Sequence, residues 1–422
     1  MNISVSIHED AQIAQAVREL ALEGYTGPGK PEYDIREKYV WLRKLGSRLW
    51  LDTGDITAAD PVWGPELEAL TTNNTLVNQV VQTGAMDGLV GYASREIRKI
   101  RPDISDHDLV IEIAFLINAR LALDLVQKFG AHVSVELHPD VADDVEKTLT
   151  FARRYYEINP DFFYVKVPLT PDGLVAARIL SNEGIPLNLT LGFSARQNYL
   201  VTRFARPMYV NVFLGRLNSL VEENGLGKPE NVGEKAALAS SEVVKVLRDT
   251  YADTPTMQIA ASIRSGDQIP KLAGIDVLTI PPKAAAEYLE MDINREDVRQ
   301  HTSRELHVDL ADTAFARVND MDALWNVDNT FIVFVEDAVI QGDQMKNGHD
   351  LVKLSHQHDI ELFNEWTDEE KQRIREKGKI PDLSQWPGIA IDDVMTVSAL
   401  ESFAKDQFEL DSRIERLIHE AE

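Results

Sequence analysis

Between residues 47 and 280, short runs rich in β-branched and aromatic residues alternate with longer helix-like stretches, and this rhythm constrains the fold more than any other feature of the chain. The runs are "SRLWLD" (47–52), "EALTT" (68–72), "HVSVEL" (132–137), "FFYVKV" (162–167), "IPLNLT" (185–190), "MYVNVF" (208–213), "MQIAAS" (257–262) and "DVLTI" (276–280). Eight strands with helical connections in about 235 residues fit a (β/α)8 barrel better than an open doubly wound sheet. No Gly-rich phosphate fingerprint follows the first run. The expected architecture is α/β, a TIM barrel over 47–290, with an N-terminal helical extension over 1–46 and a mainly helical C-terminal extension over 291–422. The gap of about 60 residues between the second and third runs is long enough for more than one helix. Thr170-Pro171 reads as an N-cap followed by proline at the first helical position, and Ser194 or Asn218 could cap other helices.

The net charge of −26, from 69 acidic and 43 basic residues, argues against nucleic acid and anionic membranes as partners. A small phosphorylated ligand is still compatible with it, provided that arginines or helix N-termini supply a local positive site. With no cysteine, thiol catalysis and disulfides are excluded, which fits a cytoplasmic location. The first twenty residues lack the basic and then apolar regions of a signal peptide. The most apolar segment, "LVIEIAFLINARLALDLV" from Leu109, is interrupted by Glu112, Arg120 and Asp124, so it reads as a buried helix begun by the capping pair Ser105 and Asp108. A homo-oligomer is left open.

In a parallel barrel the chemistry is built at the C-terminal ends of the strands. Here those ends carry Asp52, Asn73, Glu136, Lys166, Asn188 with Thr190, Asn211, and Ser262 followed by Arg264. Turn chemistry alone would scatter polar groups over both ends of the strands, and it would not place a lysine inside an apolar run. Burying Lys166 among Phe163, Val165 and Val167 costs several kcal/mol unless the ammonium is paired. Two readings follow: a structural ion pair with Glu136 or Asp52, or an amine nucleophile that condenses with a ketone. The second also needs carboxylates to move protons, and Asp52 and Glu136 are the available pair.

The motifs "LDTGDI", "TTNNTLV", "VSVEL", "YVKVPLTPDGL", "LNLTLGFSARQ", "NVFLGRL" and "IAASIRS" with "LAGIDVLTIPP" resemble, in order and separation, the strand-end motifs of the transaldolases, within the class I Schiff-base aldolases. The resemblance spans about residues 47 to 283, and "LESFAKDQFELDSRIERLI" is similar to the closing helix of longer members. It implies that Lys166 forms the Schiff base and that Asp52 exchanges the substrate hydroxyl proton. Glu136 and Thr190 would hold the catalytic water, and Asn73 and Asn188 would position the ketose. Arg216, Ser262 and Arg264 would bind phosphate. Phe213 and Glu136 stand where the related fructose-6-phosphate aldolases carry Tyr and Gln. By the same resemblance the chain would transfer a dihydroxyacetone unit from a sedoheptulose 7-phosphate or fructose 6-phosphate type of donor to an aldose phosphate, within pentose phosphate metabolism and without metal or organic cofactor. The alternatives are an aldolase that releases dihydroxyacetone and a non-catalytic sugar-phosphate-binding protein. The family's Thr-Thr-Asn-Pro-Ser reads "TTNNT" here and its Ser-Pro-Phe reads "NVF", so Asn74 and Asn211 are expected to line the hydroxyl end of the donor. Arg206-Pro207 replaces small residues before that strand.

Other signals are weaker. "DTG" at Asp52 is also the aspartic protease tripeptide, but no partner tripeptide occurs in the chain. His349, His356 and His358 lack the spacing of a metal site and read as a solvated helix face. "EWTDEEKQRIREKGK" reads as an exposed helix with i, i+4 pairs. The last helix is expected to present Leu400, Phe403, Phe408, Leu410, Ile414, Leu417 and Ile418 as one apolar face, with the stretch from about 330 to 395 inserted before it near the rim of the barrel.

Overall fold

A computed structural model describes His8 and residues 10–300, 306–311 and 321–421. The parts of the two expected extensions that fall on residues 1–7, 9, 301–305, 312–320 and 422 lie outside the described residues. Eight parallel strands close into a barrel in sequence order, β8 pairing with β1. They are β1 (Arg48–Asp52), β2 (Leu67–Thr71), β3 (His132–Glu136), β4 (Phe163–Pro168), β5 (Leu187–Thr190), β6 (Tyr209–Phe213), β7 (Met257–Ala261) and β8 (Val277–Ile280). Each lies within one or two residues of its expected run. Proline, glycine or a polar turn residue punctuates most runs, and strands covered by helices need continuous apolar sequence.

The period of two along each strand sorts residues into those facing the helices and those facing the barrel axis. Trp50, Tyr164 and Tyr209 meet low in the barrel, with Trp50 stacked on Tyr164 at 5.6 Å and edge-on to Tyr209 at 4.7 Å between ring centroids. His132 stacks on Tyr164 from β3 at 4.9 Å. Two residues further along the same strands come Asp52, Ser134, Lys166 and Asn211, so an aromatic floor lies directly beneath a polar layer. Register fixes the neighbours within that layer: Lys166 pairs with Glu136 on one side and with Asn188 on the other.

Three helices fill the connection between β2 and β3, Asn74–Gln82, Asp87–Ile100 and Asp106–Phe129. Ser105 caps the last through the Asp108 N–H at 3.1 Å, and the helix ends on Gly130 at φ 63°. Two of the three charges that interrupt it have hydrogen-bond partners. Arg154 donates to both oxygens of buried Glu112 at 2.8 and 2.5 Å, His8 lies 2.8 Å from the same carboxylate, and Arg120 donates to Leu20 O. Among the described residues, no helix is long and apolar enough to cross a membrane. Thr170 and Ser194 cap their helices as expected. Asn218 does not cap its own helix. It lies inside Leu214–Glu223, and its Oδ1 accepts from Gly233 N at 2.8 Å near the start of the next helix.

Beyond the barrel, the helix Asn329–Gln341 packs on Ala195–Phe204 and Gly348–Gln357 packs on Pro171–Asn182, both on the outer wall. The helix Asp368–Lys377 starts with a capping box of Thr367 and Glu370. Its Lys371 and Arg375 pair with Asp143 and Glu401, so these two cations tie it to other elements instead of to its own face. The final helix, Ile391–Ala421, crosses over the connection between β2 and β3. Arg413 forks onto Asp87, Asn78 donates to Glu409 at 3.1 Å, and His138 meets Asp411 at 3.1 Å. Leu400, Phe403, Leu410, Ile414 and Ile418 are buried and Leu417 is half-buried, but Phe408 is 70% exposed. The buried line from Phe403 runs through Gln407, Leu410, Ile414 and Ile418 in steps of three or four, and Phe408 sits one residue off it.

Candidate active site

Lys166 is 3% exposed, and Pro168 two residues later ends β4 just where the barrel opens. Its Nζ donates to Glu136 Oε2 and to Thr72 O, each at 3.1 Å. Asp52 sits at the end of β1, where Thr71 Oγ1 donates to its Oδ1 at 2.7 Å and in turn meets Thr279 Oγ1 at 2.7 Å. Burial pushes both carboxyl groups above the usual range. For Asp52 the charges of Lys166 and Arg264 and the Thr71 hydroxyl oppose the rise. For Glu136 the opposition comes mainly from Lys166, while Asp52 adds to the rise.

A cavity of about 280 Å³ opens above this layer. Of the residues singled out from sequence, Lys166, Asp52, Asn73, Asn188, Asn211, Phe213, Arg216, Ser262 and Arg264 line it. Glu136 and Thr190 do not. Glu136 is buried behind the lysine, and Thr190 Oγ1 is buried with no protein hydrogen-bond partner among the described residues. Asn188 Nδ2 donates to Ser134 Oγ at 3.0 Å, and Asn211 reaches Asn188 Oδ1 at 3.4 Å, so the two amides order one another across the floor. Asn73 caps the helix Asn74–Gln82 by accepting from Leu76 N at 2.9 Å. Asn74, expected beside the donor, is buried and does not line the cavity. Arg206 points away, pairing with Asp253 and Asn182.

The cationic side of the cavity is built from three elements. Arg216, in the helix after β6, is buried, and burial with the nearby charge of Arg264 pushes it down to about 10, so it stays protonated at neutral pH. Arg264 follows Ser262, whose φ of 62° places a non-glycine residue in the left-handed region at the end of β7. Lys379 comes from the loop before the final helix, and its carbonyl accepts from Arg216 Nη1 at 3.3 Å. Phe403 of the final helix lies over the site, with its ring centroid 5.5 Å from the Arg216 guanidinium carbon and 6.0 Å from Lys166 Nζ. It meets Phe213 edge-on at 6.4 Å. Lys379 has no signal in the sequence: nothing local distinguishes a lysine in "EKGKIP" that folds back to the rim. Phe403 was visible only as part of an apolar helix face.

His349, His356 and His358 have separate partners, Glu365, Phe363 O and Asp337. Among the described residues, no group of three or more ligating side chains could hold a metal ion.

A buried lysine held by Glu136, with Asp52, Arg216 and Arg264 lining the same cavity, thus lies at the C-terminal mouth of a parallel barrel. Comparison with known proteins identifies the family. The transaldolase/fructose-6-phosphate aldolase family matches residues 49–332. A transaldolase of Xanthomonas euvesicatoria is 30% identical over 268 residues, covering 60% of this chain and 80% of the relative. A transaldolase of Prochlorococcus marinus is 28% identical over 255 residues, covering 58% and 73%. A probable transaldolase of Desulfitobacterium hafniense is 35% identical over 164 residues, covering 38% and 68%. The chain belongs to the transaldolase/fructose-6-phosphate aldolase family of enzymes.

Proposed function

We propose that this chain is a transaldolase that moves a dihydroxyacetone unit from a ketose phosphate to an aldose phosphate through a Schiff base on Lys166. The observation that carries the reading is the position of Lys166 Nζ, against Glu136 on its buried side and facing, on its open side, a cavity that Asp52, Arg216 and Arg264 also line. Glu136, whose carboxyl is pushed up by burial, is suited to accept the ammonium proton and free the amine to attack the donor's ketone carbon. The carbinolamine loses its hydroxyl as water, and an iminium remains. Asp52 then takes the proton of the hydroxyl on the far carbon of the bond to be broken. That carbon becomes an aldehyde and departs, while the electrons of the broken carbon–carbon bond pass into the iminium and leave an enamine on Lys166. Attack of the enamine on the acceptor's aldehyde carbon, with Asp52 returning its proton, makes the new bond. Water then releases the product ketose from Lys166.

Glu136 and Thr190 are assigned to the water steps, and the unpartnered Thr190 hydroxyl supports that role. Asn73, Asn188 and Asn211 would fix the donor's hydroxyls, with Phe213 packed beside them. Arg216, Ser262, Arg264 and Lys379 would hold the phosphate. Release of free dihydroxyacetone is the second reading, since the family's description includes aldolases. Phe403 over the site favours transfer, because an enamine that waits for an acceptor has to be shielded from water. Fructose 6-phosphate incubated with enzyme decides between them. Product that appears only when an aldose phosphate is added supports transfer, and dihydroxyacetone formed without acceptor supports release.

A further inference from the structure

Glu234 is 2% exposed, lies outside the cavity and has no cationic partner among its hydrogen bonds. It accepts from two neutral amides, Gln268 Nε2 at 2.8 Å on Oε1 and Asn218 Nδ2 at 3.0 Å on Oε2. A buried carboxylate held only by neutral amides is costly, and both amides lead to the cationic wall of the site. Gln268 Oε1 accepts from the backbone N–H of Arg264 at 2.6 Å. Asn218 stands two residues beyond Arg216 in the same short helix. The two arginine segments also press on each other directly: a Cβ on Gly215 would lie 2.2 Å from Ser262 O and 2.8 Å from Arg264 Nε. The two segments are thus in contact at the wall of the site, and the bonds through Glu234 tie them together from behind.

We propose that Glu234 is a positioning residue that sets the separation of Arg216 and Arg264 for a phosphate, acting through Asn218 on one side and Gln268 on the other. The inference rests on the phosphate role given to those arginines above. A simpler role is available, because Glu234 is the third residue of the helix Val232–Thr250 and a carboxylate there favours the helix dipole. That role predicts a change in stability alone. Positioning predicts a change in phosphate affinity, and it predicts a specific repair. In Glu234→Gln an NH2 group must face one of the two amide donors, and one link is lost. Adding Gln268→Glu restores every link: the new carboxylate can accept from both the amide at 234 and the Arg264 N–H, while the amide oxygen at 234 accepts from Asn218.

The test measures inhibition by inorganic phosphate, together with the preference of the enzyme for fructose 6-phosphate over unphosphorylated fructose as donor, in wild type, Glu234→Gln, the Glu234→Gln/Gln268→Glu double variant and Arg264→Ala. Glu234→Gln should weaken phosphate binding by roughly tenfold and lower the preference in parallel, the scale of one lost hydrogen bond to a charged group. The double variant should recover most of both. Wild-type phosphate affinity in a folded Glu234→Gln, or no recovery in the double variant, overturns the proposal. If Glu234→Gln fails to fold, Gln268→Ala removes both bonds of Gln268, to Glu234 and to the Arg264 N–H, while sparing the Asn218 link, and must show at least the same loss. An Arg264→Ala variant with unchanged phosphate affinity overturns the phosphate site itself, whereas loss in Arg264→Ala beside no loss in Glu234→Gln overturns only the positioning.

Discussion

Glu136 Oε2 lies 3.1 Å from Lys166 Nζ on the neighbouring strand and in direct register with it, yet only the lysine of the two lines the cavity. The arrangement separates the two carboxyl groups of the site. Glu136 contacts the lysine from its buried side, whereas Asp52 lines the same cavity as the lysine, and in the proposed mechanism it exchanges a proton with substrate.

Asp52 must be ionised to take that proton. Burial raises its pKa, so the acidic limb of the kcat/KM profile should fall at higher pH than an ordinary carboxylate gives, with rate rising as pH passes upward through it. Thr71→Val removes a hydrogen bond that favours the ionised form, and should move the limb to still higher pH. Asp52→Ala should lose turnover by roughly 10²–10⁴ while still forming the covalent adduct. A near-wild-type rate in that variant places the proton transfer elsewhere.

Arg264→Ala and Lys379→Ala should each weaken phosphorylated donors by about 1.5–3 kcal/mol, the scale of a hydrogen bond to a charged group. Both side chains are exposed, and screening can reduce their shares to the lower end of this range. The check is the ratio of kcat/KM for a ketose phosphate to that for the unphosphorylated ketose. If both fall equally, the two cations serve structure.

Phe403→Ala should increase dihydroxyacetone release relative to transfer, because it uncovers Lys166 at the side facing the final helix. Its packing loss, about 3–5 kcal/mol for a buried aromatic, calls for a parallel unfolding measurement. Unchanged partitioning in a folded variant shows that the ring does not shield the intermediate.

Asp393 anchors the start of the final helix by accepting from Asn364 N at 2.9 Å and from Trp366 Nε1 at 3.0 Å. Burial first, and the charge of Asp392 second, push it up to about 8. The folded state therefore holds a proton that the unfolded chain releases near the ordinary value of 3.8. Its contribution to stability is full below that value and is lost as pH rises through about 8. Asp393→Asn keeps an acceptor for both donors and has no proton to lose. Its stability relative to wild type should rise between pH 4 and pH 8 in denaturant titrations. A constant difference over that range shows that the carboxyl titrates normally.

Much of the barrel was legible because each link was local. Apolar runs such as "FFYVKV" marked strands, Pro168 and Thr170-Pro171 marked where one ended and the next helix began, and a lysine inside such a run had to be accounted for. What stayed hidden depends on tertiary docking. Gln407 occupies a buried position and bonds to Asp411 while Phe408 faces outward, so hydrophobicity alone misplaced one residue on the final helix. Lys379 reaches the cavity only because its loop folds back over the rim, and Asn218 serves the helix after its own. The link from Glu234 to both arginine segments joins residues from three parts of the chain, and no spacing in the sequence announces it.

The central claim is the Schiff base on Lys166, and its most direct measurement is reductive trapping. Borohydride added to enzyme with fructose 6-phosphate should leave a stable adduct on the peptide that contains Lys166, detected by mass spectrometry, and Lys166→Ala should abolish it. An adduct that persists on another lysine in that variant, or wild-type enzyme that turns over the ketose phosphate and yields no adduct, would contradict the account.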